Sequence, residues 1–170
     1  MAVLQRGLLI YHSTIHDFNP EEIKTPCWFS VIPEQSHYHL CYKHFGHPCG
    51  RLITYRLREN VTVADLSIDG YLRMIVNANG NYKLANLMKG SGVYNGYKNY
   101  QDQAEVMLVD AAILEFVREE PIDLNKKVRY VEKNSEWRMV DEDNTEVVSI
   151  CDSCCVPRRR RRGKNSIVPV

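Results

Sequence analysis

The stretch that most constrains the fold covers residues 8–42, where two short apolar segments each end in polar side chains. Leu8–Tyr11 is an apolar run typical of a strand, and it brings His12 to the strand's end. Further along, the aromatic pair Trp28-Phe29 predicts a second short strand that ends at Ser30. Imidazole and hydroxyl groups at the ends of adjacent elements can bind a ribose. The stretch therefore predicts a binding pocket, although aromatic residues in a strand can equally be core.

A helix is predicted directly after these strands. Residues 33–36 read Pro-Glu-Gln-Ser, which is typical of a helix start, and helical spacing places Tyr38 and Tyr42 on one face. A tyrosine face can stack on a flat ring, so the pocket would suit a planar ligand that carries an amide. The alternative is that both tyrosines belong to the core.

Four short motifs in sequence order support a family resemblance. The segments are Tyr11-His12-Ser13-Thr14, Trp28-Phe29-Ser30, Ser36-His37-Tyr38 and Gln103-Ala104-Glu105-Val106-Met107-Leu108. Together they resemble the nucleotide-pocket motifs of the ADP-ribosyltransferase superfamily, in the branch that includes poly(ADP-ribose) polymerase catalytic domains, over roughly residues 4–124. Ser13 stands where the family prefers Gly and Trp28 where it often has Tyr, so the resemblance bears on the fold more than on activity.

The resemblance implies an α+β fold in which two small β-sheets are split around a nucleotide cleft, with NAD as the substrate. Mixed short strands and helices without regular βαβ alternation independently indicate α+β. The roles that the resemblance implies are catalysis by Glu105, a hydrogen bond from His12 to the adenosine-side ribose, carboxamide binding by the backbone of Ser13, a further hydroxyl from Ser30, and stacking of Tyr38 on nicotinamide.

Two functions remain open at this point. The first is transfer of ADP-ribose from NAD to an unknown acceptor, as in a mono-ADP-ribosyltransferase. The second is an inert fold of this type in a structural or assembly protein, such as a virion component, in which Trp28 would fill the pocket. The second reading arises because large DNA viruses carry compact proteins that resemble this family. Separately, the alternative to a site role for His12 is a strand-end histidine bonded to a carbonyl.

The charge distribution separates a body from a tail. Residues 157–170 contain six basic residues and no acidic one, whereas the remaining chain has 16 basic and 21 acidic residues. Arg158–Arg162 could bind nucleic acid or another polyanion, act beside Cys154-Cys155 as a lipidated anchor, or stay solvated. The apolar segment Ile167–Val170 could dock on a protein assembly partner. No apolar run is long enough for a membrane span and no secretory signal is visible, so we expect an intracellular protein, with nucleus or virion as destinations.

The six cysteines favour thiols or metal ligands over disulfides in such a chain. Zinc could bind the group Cys41, His44, His47 and Cys49, or these could be unrelated side chains, and no metal site is predicted. Three regions are expected: residues 1–124 as the ADP-ribosyltransferase-like domain, 125–150 as a β-meander and 151–170 as a Cys/Arg-rich tail. The predicted elements are strands Leu4–Tyr11, Pro26–Ile32, Arg51–Leu57, Val61–Leu66 and Glu105–Val109, and helices Glu34–Phe45, Ser67–Asn77 and Tyr82–Lys89, with residues 90–97 flexible.

Overall fold

The computed structural model describes residues 1–36, 49–102, 104–123, 129–134 and 136–140, and it is an α+β structure as predicted. The strands are β1 Ala2–Leu4, β2 Leu9–Thr14, β3 Cys27–Ser30, β4 Cys49–Leu57, β5 Val61–Asp65, β6 Gly96–Lys98, β7 Glu105–Leu108, β8 Leu114–Asp123, β9 Arg129–Lys133 and β10 Glu136–Val140. The helices are α2 Gly70–Asn79 and α3 Asn81–Ser91, preceded by α1, of which residues 33–36 are described. Single 3₁₀ turns occur at Pro20–Glu22 and Ala111–Ile113.

Eight strands form one mixed sheet in the order β1-β5-β6-β7-β3-β2-β4-β8, and β9 pairs with β10 in a separate hairpin. All neighbours in the large sheet are antiparallel except β5 and β6. The junction between β2 and β3 is the shortest, with the single pair Tyr11–Ser30, whereas the next shortest, between β5 and β6, has two pairs. The two small sheets that the resemblance implies are thus one eight-stranded sheet, in which two halves, β1-β5-β6-β7-β3 and β2-β4-β8, are joined at one residue pair.

One face of the sheet carries a core that spans both halves. Ile10 of β2, Phe29 of β3 and Ile53 of β4 all belong to it, and each is 2% exposed or less. The opposite face has two separate clusters. Leu84 and other residues of α3 pack on β6 and β7, while Tyr130 of β9 packs on Tyr11 in β2. These two clusters belong to different halves of the sheet.

The helices follow from local sequence signals. The Asp69 side chain accepts a hydrogen bond from the Leu72 N–H at 3.0 Å and so caps α2, two residues later than the predicted start at Ser67. The helix ends at Gly80, whose positive φ of 85° lets α3 begin at the next residue in a new direction. Helix α1 begins at Pro33, as the sequence predicts, and its remaining predicted residues lie outside the described ranges.

The predicted strand Leu4–Tyr11 is wrong as one element. Gly7 adopts φ 88° and breaks it, so that β1 pairs with β5 at one edge of the sheet while β2 pairs with β4 near the other. Strand β6 overlaps the end of the segment expected to be flexible, and pairing with β5 and β7 holds it extended. The first two strands of the predicted meander are β9 and β10, and a third would fall outside the described residues.

The cysteine expectation is wrong at Cys49, which is disulfide-bonded, whereas Cys27 is a free thiol. Cys41, His44 and His47 lie outside the described residues. Within the described ranges, no group of three or more His, Cys, Asp or Glu side chains could hold a metal ion. In the same part of the chain, no helix has the length and apolarity needed to cross a bilayer.

The close approach of β6 to β7 leads to a prediction at Gly96. A Cβ atom there would lie 1.8 Å from the Met107 carbonyl oxygen and 2.9 Å from its carbonyl carbon, both rigid backbone atoms. We expect Gly96→Ala to lower the free energy of unfolding by at least about 3 kcal/mol, measured by urea denaturation. Gly90→Ala in α3 is the control, because a Cβ there meets no atom within 4 Å. Equal stability of the two variants would contradict this account of the β6–β7 contact.

Candidate active site

A cavity of about 390 Å³ opens beside the Tyr11–Ser30 junction. Its walls come from β2, β3, the start of α1, the start of α3 and the start of β7. The lining residues are His12, Ser13, Thr14, His16, Cys27, Trp28, Phe29, Ser30, Ser36, Asn81, Tyr82, Asn99 and Glu105. Four of the five predicted site residues, His12, Ser13, Ser30 and Glu105, thus line a single cavity. The fifth, Tyr38, lies outside the described residues, two positions after Ser36.

His12 bridges the gap beyond the junction. Its Nδ1 lies 2.9 Å from the carbonyl oxygen of Trp28, so Nδ1 carries the proton and donates, which leaves Nε2 as an acceptor in the neutral ring. Burial lowers the pKa of His12 below its ordinary value, outweighing the carbonyl contact, which acts in the opposite direction. The histidine is therefore neutral at pH 7. His12 is both bonded to a carbonyl, as the alternative to a site role expected, and part of the cavity wall, although β2 continues past it to Thr14.

The backbone of Ser13 faces the same gap. Along an antiparallel strand, backbone N–H and C=O groups point alternately toward and away from a given neighbour. The N–H of Leu57 donates to the carbonyl of Leu8 at 3.0 Å, so the backbone groups of Leu8 and of every second residue after it point toward β4. The backbone groups of Tyr11 and Ser13 therefore point the other way, toward β3. Tyr11 meets β3 there, but two residues later the strands have separated. The N–H and C=O groups of Ser13 thus face the space between β2 and β3.

The hydroxyl groups of the two serines serve the fold. Ser13 Oγ donates to the carbonyl of Ser36 and so attaches α1 to β2. Ser30 is only 2% exposed, and its Oγ donates to the Ile32 carbonyl at 2.8 Å while accepting from the Ile32 N–H at 3.1 Å. The Ser30 hydroxyl, which is predicted to contact a ligand, is therefore already hydrogen-bonded to the backbone of the turn. Contact with a ligand would compete with these bonds.

Glu105 begins β7 opposite Ser30 in the register and belongs to the same wall. Its Oε2 accepts a hydrogen bond from Asn99 Nδ2 at 2.7 Å. The neighbouring loop is fixed as well, because Asp102 accepts from Gln35 Nε2 of α1 and, through Oδ1, from the N–H of Ala104 at 2.9 Å. These bonds orient the carboxylate at a defined position beside the cavity.

Several lining residues were not found from the sequence. Asn81 and Tyr82 come from the start of α3, and Asn99 from the loop before β7; no spacing rule links these residues to the strand ends. Cys27 lies beside His12, with Sγ 3.5 Å from Nδ1. Burial raises the pKa of the Cys27 thiol to about 11, so it is protonated at pH 7 and is not a thiolate nucleophile.

Arg51 fixes the loop that follows β2 at the cavity edge. Its guanidinium donates to Glu119 and to the carbonyl of His16, each at 2.6 Å, and its Cζ lies 5.2 Å from the centre of the Phe18 ring. These contacts hold residues 16–18 against β4 and β8, so the wall that includes His16 is tied to the sheet.

Comparison with known proteins gives no match: no family model fits the chain, and neither a curated protein nor a solved structure is significantly similar to it. The geometry of the cavity is therefore the basis for any statement about function.

The burial of His12 predicts a pH dependence of stability. A lowered pKa in the folded state means that the unfolded chain binds more protons below about pH 6.5, so stability is full above that pH and is lost as pH falls toward the lowered value. Between pH 7.5 and 5.5 this loss can reach about 1.4 kcal/mol, the limit for one proton over one pH unit. Urea denaturation should show this loss in the parent chain and its absence in His12→Gln.

His12→Asn is the matched control, because it also lacks a titrating ring, and it should show the same absence of this loss as His12→Gln. The burial account would be wrong if His12→Gln lost as much stability between pH 7.5 and 5.5 as the parent does.

Proposed function

We propose that this chain is an ADP-ribosyltransferase-like protein that binds NAD in the cavity beside β2 and β3 and transfers its ADP-ribose to an acceptor. The observation that carries the proposal is the meeting of His12, Ser13, Ser30 and Glu105 in one cavity, from three strands that are far apart in sequence. The sequence motifs alone point to the same four residues. The volume, about 390 Å³, is in the range of small-molecule sites and suits the nicotinamide-ribose half of NAD.

The backbone of Ser13 is suited to the nicotinamide carboxamide. A carboxamide presents one acceptor and two donor hydrogens, and an extended residue offers one N–H and one C=O on the same side. Ser13 faces the gap with both groups. The substitution of Ser for the family's Gly is compatible with this role, because Ser13 lies within β2 and needs no positive φ, while its side chain is bonded to Ser36.

Glu105 would act on the nicotinamide ribose. In the transfer, the bond between the ribose C1′ and the nicotinamide nitrogen breaks, the electron pair leaves with neutral nicotinamide, and positive charge develops on the ribose. The acceptor then supplies an electron pair to C1′ and loses a proton. A carboxylate held beside the ribose accepts a hydrogen bond from the 2′-hydroxyl and stabilises that charge. Asn99 supports the role, because its bond to Oε2 fixes the carboxylate's orientation.

The inert alternative requires a blocked pocket, and the position of Trp28 argues against it. The Trp28 ring packs edge-on against Tyr97, with ring centroids 5.6 Å apart, and forms one wall of a cavity that stays open. Binding of a polyanion by Arg158–Arg162, and of an assembly partner by the end of the chain, remain predictions, since residues 141–170 lie outside the described ranges.

Removing the charge of Glu105 tests the proposal. Glu105→Gln keeps an oxygen that can accept from Asn99 but cannot stabilise positive charge, so we expect the rate of nicotinamide release from NAD to fall about 100-fold. The rate is measured by chromatography of the products, and calorimetric titration with NAD measures binding separately. Because substrate binding does not depend on the charge that develops in the transition state, NAD affinity should change much less than the rate.

Glu59→Gln is the matched control, because Glu59 is exposed in the turn between β4 and β5. It should leave both the rate and the affinity as in the parent. Absence of heat on titration with about millimolar NAD would overturn the proposal outright. A parent-like rate in Glu105→Gln would mean that another carboxylate carries the chemistry.

A further inference from the structure

Residues 70–101 differ in charge from the rest of the body. This segment contains no Asp or Glu, although the chain as a whole has 21 of them, and it holds five of the chain's ten tyrosines. Its basic residues are Arg73, Lys83, Lys89 and Lys98. Two of the tyrosines, Tyr71 and Tyr82, are exposed. A basic surface with exposed tyrosines on an otherwise acidic body has the chemistry of a binding site for a polyanion.

Helix α3, which lies in this segment, has a buried face and an exposed outer face. Leu84, Ala85 and Met88 are buried against the sheet. The outer face is formed by exposed residues, of which Tyr82 is 59% and Leu87 50% exposed. Tyr82, Asn86 and Lys89 follow one another at i, i+4 and i+7, and Lys83 is exposed beside them. Besides Leu87, the outer face of α3 thus carries one aromatic ring, one amide and two ammonium groups.

This outer face begins at the cavity. Asn81 and Tyr82 both line it, and Asn81 is held in place because Tyr97 Oη donates to its Oδ1 at 3.0 Å and to its carbonyl at 3.1 Å. Tyr97 is fully buried, so the first turn of α3 is anchored to the core. A molecule lying along the outer face would therefore have one end at the cavity mouth.

We propose that the outer face of α3 binds single-stranded nucleic acid and directs it to the cavity. Lys83 and Lys89 would contact phosphates, and the exposed ring of Tyr82 would stack on a base at the cavity mouth. Charge complementarity selects a polyanion, and an exposed aromatic ring beside cations selects unpaired bases over an acidic peptide, which offers no flat rings. The role of the bound strand as acceptor rests on the proposed function; the binding itself does not.

The binding is tested with the full-length chain and a fluorescent oligothymidylate of about twelve nucleotides, a length suited to one domain. Tyr82→Ala should weaken binding about 5-fold or more at every salt concentration, because stacking does not release counterions. The double variant Lys83→Gln/Lys89→Gln should instead reduce the slope of log affinity against log salt concentration by about 1.4 in magnitude, which is the contribution of two phosphate contacts on a single strand. The salt series thus separates the contribution of stacking to oligonucleotide affinity from that of charge. The contribution of the basic tail is the same in all variants, because they all contain it.

Matched variants control for each effect. Tyr82→Phe keeps the ring and should bind as the parent does. Lys24→Gln/Lys133→Gln removes two exposed lysines outside the segment and should leave the salt slope unchanged. The altered side chains are exposed, so thermal unfolding should show folded proteins throughout.

The inference is overturned if Tyr82→Ala binds within twofold of the parent, or if polyglutamate of equal charge displaces the oligonucleotide as well as unlabelled oligothymidylate does, since that would indicate an acidic protein partner. NAD titration into Lys83→Gln/Lys89→Gln distinguishes the two proposals. If NAD binds but the α3 variants bind the oligonucleotide as the parent does, only this inference is rejected. Oligonucleotide binding that depends on α3, without NAD binding in any variant, would reject only the proposed function.

Discussion

The structure depends on a junction of one residue pair. Tyr11 and Ser30 alone connect the registers of β2 and β3, while β2 pairs along its whole length with β4, and β3 with β7. The backbone groups that would continue the β2–β3 ladder must find other partners, because unpaired buried groups are costly. The carbonyl of Trp28 is one such group. A continued ladder would have paired it with Ser13, but it accepts a hydrogen bond from the His12 ring instead. The cavity is the space that this separation leaves.

The continuous core on one face makes such a gap tolerable. Ile10, Phe29 and Ile53 pack together beneath the junction and hold the two halves of the sheet in place without further strand pairing. On the opposite face, α3 packs on one half of the sheet and β9 on the other, in two separate clusters. An apolar core that is shared on one side and divided on the other thus leaves room for a cleft in the middle of the sheet.

Within the cleft, structural and binding roles are divided between atoms of the same residue. The hydroxyl of Ser13 is hydrogen-bonded to α1, while the backbone of the same residue faces the gap. The Nδ1 atom of His12 donates to the Trp28 carbonyl on β3, while Nε2 remains an acceptor. Such residues are rigid because their own groups are bonded, which favours binding by lowering the entropy cost of ordering the site. The start of α3 extends the wall outward, so the cleft and the proposed nucleic-acid surface share Tyr82.

The sequence by itself determined the elements whose signals are local. Local sequence patterns were sufficient for β3, β4, β5 and β7 and for the helices α2 and α3. The apolar runs that adjoin His12, Ser30 and Glu105 marked one wall of the cavity, although β2 continues past His12 to Thr14. Tertiary structure decided what depends on partners distant in the chain. Gly7 could be recognised as a break between β1 and β2 only once the two strands had separate neighbours. Strand β6 is extended because β5 and β7 pair with it, and Asn81, Tyr82 and Asn99 reach the cavity because α3 and β7 pack there. Strand pairing and packing act between residues that are remote in sequence, and no local pattern records them.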